Sequence, residues 1–101
     1  MSFEITKGDY GRIYRAIIEK IDLSDCEALM FVWDKNKNLL VNGGSCSVTF
    51  ASPDTFIDYV VQQSDFEKAS SGVCDALIRF EKAGVVERTI KFNWRVYDKE
   101  P

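Results

Sequence analysis

Alternation of apolar and polar positions dominates the chain. Val86, Ile90, Phe92, Trp94 and Val96 share one parity, broken only by Arg88, while Glu87, Thr89, Lys91, Asn93, Arg95 and Tyr97 fill the other. Successive strand side chains point to opposite faces, so this pattern predicts a half-buried strand. Its partner precedes it. Cys74, Ala76, Ile78 and Phe80 form an apolar parity against Asp75, Arg79 and Glu81, and Glu81-Lys82-Ala83-Gly84 supplies a short connection with a glycine able to take positive φ. Residues 73–97 therefore read as one long antiparallel hairpin.

The same grammar recurs upstream. Phe3 and Ile5 alternate with Glu4 and Thr6; Tyr14, Ala16 and Ile18 with Arg15 and Glu19; Cys46, Val48 and Phe50 with Ser45, Ser47 and Thr49; Ile57, Tyr59 and Val61 with Asp58 and Gln62. Ala28-Leu29-Met30-Phe31-Val32-Trp33 is apolar on both parities, the mark of a central strand or one covered on both sides. Turn-forming residues separate these pieces at Gly8-Asp9, Asp22–Asp25, Asp34–Asn38, Asn42-Gly43-Gly44 and Ser52-Pro53-Asp54. Short strands at such spacing predict an all-β sandwich or barrel. Only Ser64–Ala69, with a polar cap candidate and good helix formers, predicts a helical turn or two.

Length and charge narrow the class. The 101 residues form one expected domain, 1–101, without repeats or linkers. A net charge of −3, from 13 basic and 16 acidic residues interspersed along the chain, lacks the clustered cations that nucleic-acid binding needs. Arg12 and Arg15, the nearest to a cluster, are flanked by Asp9 and Glu19. Residues 1–8 alternate and carry charge, unlike a secretion signal, and no apolar run is long enough for a transmembrane helix, so no membrane partner and assembly in the cytoplasm of the producing cell are expected.

Candidate chemistry is sparse. The chain has no histidine, which removes the commonest general base and metal ligand, and no phosphate-cradling glycine motif. Cys26, Cys46 and Cys74 form no CxxC pair and read as reduced thiols serving as small apolar side chains. Asp22, Asp25 and Glu27, and Asp54 with Asp58, lie at turns, where carboxylates usually cap backbone N–H groups. No cofactor, metal or catalytic residue is expected, and the chain reads as a non-enzyme.

The remaining signal is surplus apolar surface. Ile13, Ile17, Met30 and Val32 lie opposite the residues taken as their strands' core side, and Trp33 and Trp94 fall on parities taken as inward. Tyr10 stands beside a turn and Tyr97 on an outward parity. Tyr10, Ile13, Ile17, Met30, Val32 and Tyr97 are therefore the candidate partner-contact residues. A ring platform for carbohydrate, built on Tyr10, Tyr97 or an exposed tryptophan, is the alternative use of the aromatics.

The order of landmarks is similar to a known family. An opening strand runs into Ile5-Thr6-Lys7-Gly8-Asp9-Tyr10; a second ends in Ile21-Asp22-Leu23-Ser24; a third reads Ala28-Leu29-Met30-Phe31-Val32-Trp33-Asp34. Ser64-Asp65-Phe66 follows, then Ser71-Gly72 opens a final hairpin ending in Phe92-Asn93-Trp94-Arg95-Val96. Over nearly its whole length the chain resembles the immunoglobulin-like N-terminal domain of phage baseplate upper proteins. It departs from the family at Lys82-Ala83-Gly84, where an Asp-Gly turn is more usual. The resemblance implies an immunoglobulin-like antiparallel β-sandwich of about 7–8 strands. It also implies a structural role in a virion or prophage particle, with other virion proteins as partners and a homo-oligomeric state in the assembly. The family usually continues into a coiled coil or fibre, so the chain is expected to be either a stand-alone adaptor or the first module of a longer protein.

Overall fold

The computed structural model describes residues 2–98, and within them every regular element is a strand. The strands are β1 (Ser2–Thr6), β2 (Ile13–Ile18), β3 (Glu27–Trp33), β4 (Leu39–Ala51), β5 (Asp54–Val60), β6 (Gly72–Lys82) and β7 (Val85–Tyr97). They form one seven-stranded sheet in the order β1-β7-β6-β3-β4-β5-β2, which curls until it is nearly a barrel. The all-β expectation holds, but the sheet is mixed rather than purely antiparallel, because β1 runs parallel to β7. That pairing sets Phe3 beside Trp94 and Ile5 beside Val96, so both apolar parities enter the same core.

The final hairpin forms as expected. Cys74 pairs with Trp94, Ala76 with Phe92 and Ile78 with Ile90. The turn itself is only Ala83-Gly84, both at positive φ (51° and 79°), the conformation that matches the twist of two-residue hairpins. A register shift follows Phe80, which faces Arg88 while Glu81 faces Val86. Glu87 is the extra residue of that bulge, and Val86, expected inward, is exposed beyond it.

Strand β4 joins the two parts of the sheet. Its first half pairs with β3 and its second half with β5. Asn42-Gly43-Gly44, expected as a hairpin turn, lies inside this strand as a bulge: Met30 faces Gly44, Phe31 faces Asn42, and Gly43 takes φ 74° between them. Glycine suits a bulge as well as a turn, and thirteen residues of strand bend here without reversing.

The facing of β3 reverses the sequence reading. Ala28, Met30 and Val32 are fully buried, and Leu29, Phe31 and Trp33 lie half-buried on the outer face. Both parities of β3 are apolar, so alternation could not choose between them. Its neighbour β6 does: Ala28, Met30 and Val32 pair with Phe80, Ile78 and Ala76, the unambiguous core side of the hairpin. Met30 and Val32 are thus core residues, and Trp33 is not.

Segment 61–71 contains no helix. Two turns fold it instead, with Asp65 N–H donating to the Gln62 carbonyl (3.1 Å) and Ala69 N–H to the Phe66 carbonyl (3.2 Å). Phe66 and Ala69 are buried. The Asp65 carboxylate accepts from Gln62 N–H (2.8 Å) and from the buried Tyr59 hydroxyl, which fixes the segment as a strap over the core. Tyr59 is held far above its usual pKa by burial and by this carboxylate.

Trp94 centres the closed end of the core. Its ring packs on Tyr14 (4.6 Å between centroids), Phe66 (4.8 Å) and Phe3 (5.0 Å). Phe3 and Tyr14 come from β1 and β2, the two edges of the sheet. The Tyr14 hydroxyl donates to the Glu4 carbonyl at 2.7 Å, so a side chain spans the seam where no strand pairing does.

Candidate functional site

Strands β2 and β5 present an outer face built from two sets of alternating residues. Ile13 pairs with Val60, Arg15 with Asp58 and Ile17 with Phe56. Ile13, Ile17 and Val60 are 66%, 51% and 42% exposed, while Phe56 is half-buried. At the centre, Arg15 donates from Nε and one terminal nitrogen to both oxygens of Asp58, at 2.7 and 2.9 Å. The guanidinium also lies 5.2 Å from the Phe56 ring centroid. The ion pair holds the Asp58 carboxyl below the usual carboxylate range and the Arg15 guanidinium above its own. The result is an apolar face with an oriented charge pair in its middle. It ends at β2, an edge of the sheet, whose other side pairs with no strand among the described residues.

Of the six residues expected to contact a partner, the structure gathers only part. Ile13 and Ile17 share this face, and Tyr10 is exposed in the turn that leads into β2. Tyr97 is exposed on β7, a different strand from this face, where its hydroxyl donates to Glu4 Oε1 at 3.2 Å. Met30 and Val32 are inside and reach no partner. Val60 and Phe56 were missed, although their alternation with Ile57 and Tyr59 marks them as outward apolar positions.

The outer face of the larger part of the sheet carries a second feature. Phe31 and Trp33 stack at 6.3 Å with 18° between their planes, and Arg79 covers Phe31 at 4.7 Å. Trp33 borders two adjoining grooves. The larger, about 420 Å³, is lined by Trp33, Asp75, Leu77, Lys91 and Asn93; the smaller, about 300 Å³, by Trp33, Asp34, Lys37 and Asp75.

Several other polar groups serve the fold. Asp22 accepts from the N–H (2.9 Å) and hydroxyl (2.6 Å) of Ser24, Asp54 from Lys20 N–H (3.1 Å), and Asp25 from Lys82 (2.7 Å). The buried Asp34 accepts from the N–H groups of Asn36 and Asn38, both at 2.9 Å. All three cysteines are free; burial raises each thiol, Cys46 to about 12 and Cys74 to about 11. Among the described residues no group of three or more Cys, Asp or Glu side chains could hold a metal, and no helix is long and apolar enough to cross a membrane. Models of known protein families and the curated proteins both yield no match to the chain.

Proposed function

We propose that the chain is a non-catalytic structural module of a phage or prophage particle, an immunoglobulin-like sandwich that docks to the tail baseplate or another virion component. Copies of the chain associate with one another through the outer face of β2 and β5, and the assembled oligomer docks to the particle. The observation that carries the association is the row Ile13, Ile17 and Val60, three exposed aliphatic side chains on a sheet face otherwise expected to be polar. Apolar residues around an oriented ion pair suit an interface, since burial supplies the attraction and the charges fix the orientation.

Strand order supports the sandwich reading. In the immunoglobulin arrangement the second strand pairs with the fifth and the third with the sixth, which in turn pairs with the last. The pairs β2–β5, β3–β6 and β6–β7 follow that plan. The role in a particle rests on the sequence resemblance. Its test is to induce prophage in the source cells, purify particles on a density gradient and probe the fractions with an antibody to this chain. Co-sedimentation with intact particles is expected; absence from every particle fraction would overturn the reading.

A further inference from the structure

We propose that the groove beside Trp33 binds a neutral pyranose unit of an oligosaccharide. The strand register builds this site. Trp33 of β3 pairs with Asp75 of β6, and Asp75 with Asn93 of β7, so an indole, a carboxylate and an amide stand side by side on one outward face. One pair further along, Leu77 faces Lys91 and adds an aliphatic floor and an ammonium group. The same five side chains line the 420 Å³ groove.

Each part matches a feature of a sugar ring. The apolar C–H face of a pyranose packs on an aromatic ring, whose body is apolar while its edge hydrogen-bonds. Its equatorial hydroxyls need both acceptors and donors, which Asp75, Asn93 and Lys91 provide. Asp75, Lys91 and Asn93 are exposed, and among the described residues neither Asp75 nor Lys91 enters an ion pair. Their charges offset one another, which favours a neutral ligand over an acidic or basic one. Phe31 stacks beside Trp33, and Arg79 in turn lies over Phe31, so packing orders the indole before a ligand arrives. The second groove, sharing Trp33 and Asp75, gives room for a neighbouring sugar. This site is separate from the β2–β5 face, and either proposal stands without the other.

The test is a two-dimensional ¹H–¹⁵N spectrum of the intact chain titrated with maltohexaose, cellohexaose and the hexamer of N-acetylglucosamine. Trp94 is buried, so the two indole N–H signals report independently. At least one hexasaccharide is expected to shift the Trp33 indole signal saturably and leave that of Trp94 in place. Trp33→Ala should weaken binding about tenfold or more, as loss of an anchoring aromatic does. Asp75→Ala and Asn93→Ala, at exposed positions that leave the fold intact, should each weaken it several-fold. No shift with any of the three sugars, or binding unchanged in Asp75→Ala and Asn93→Ala, would overturn the assignment.

Discussion

Arg15 and Asp58 face each other across β2 and β5 and are joined by two hydrogen bonds, 2.7 and 2.9 Å, in the middle of an apolar face. Both contribute to that face through their orientation. The pair fixes where a positive and a negative group sit between Ile13 and Ile17, so a docking partner meets a defined charge pattern. The Asp58 pKa lies below its unfolded value of about 3.9 because Arg15 stabilises the charged form. A group with a lowered folded pKa stabilises the protein above its unfolded pKa and loses that contribution as pH falls through the folded one. Denaturant melts from pH 6 to pH 2 should therefore show a stability loss below about pH 4 that is smaller in Asp58→Asn than in wild type. Identical acid profiles would mean that the ion pair does not persist in solution.

Trp94→Ala should cost about 3–5 kcal/mol in a denaturant melt, the range for removing a large aromatic from a packed core. The ring contacts residues from β1, β2 and the 61–71 strap, so its loss loosens three separate segments together. Its indole N–H is buried with no partner among the described residues, so the ring's packing alone accounts for the stabilisation. A loss below 1 kcal/mol would place the indole at the surface, contrary to the packing described.

Thr55 is buried in β5 and ties down the loop before β3. Its hydroxyl donates to the Ile21 carbonyl at 2.6 Å and accepts from Leu23 N–H at 3.0 Å. Thr55→Val keeps the shape and removes both bonds, leaving two backbone groups of the loop without partners. The expected cost is about 2 kcal/mol or more, with faster amide exchange at Leu23. Exchange at Leu23 unchanged from wild type would show that the loop is held by other contacts.

Gly44 allows β4 to cross the core. A Cβ at this position would come within 2.8 Å of the Tyr59 ring and 2.9 Å of Val41 Cγ1, both in buried side chains. Gly44→Ala is expected to destabilise by about 1–3 kcal/mol through overpacking. Gly43→Ala meets only the Phe31 ring at 3.8 Å, but takes on a positive φ that an alanine resists. A neutral Gly44→Ala in thermal melting would mean that β4 lies further from β5 than described.

What the sequence made legible follows from where alternation was unambiguous. In β6 only one parity of Cys74–Phe80 is uniformly apolar, and its facing was read correctly. In β3 both parities are apolar, and the choice between Met30 with Val32 and Phe31 with Trp33 depends on which neighbour it pairs with. That is tertiary information, and its absence put Trp33 in the core and Met30 on the surface. Asn42-Gly43-Gly44 failed for a related reason, since the same residues make turns and bulges and only the length of the paired strand separates them. The Ser64–Ala69 helix was overridden by tertiary anchors, with Asp65 drawn to Tyr59 and Phe66 into the core. Ile13 and Ile17 were legible as outward apolar residues because β2 has a recognisable polar interruption at Arg15.

The β2–β5 face is proposed as an interface between copies of this chain. Light scattering over a concentration series, on wild type and on Ile17→Lys, decides whether it is. Ile17 is half exposed, so the added charge leaves the core untouched and stability should stay within about 0.5 kcal/mol of wild type. Wild type is expected to form a closed oligomer of fixed copy number, and the variant to remain a monomer. A wild type that stays monomeric throughout the series, or a variant that assembles equally well, would contradict that interface.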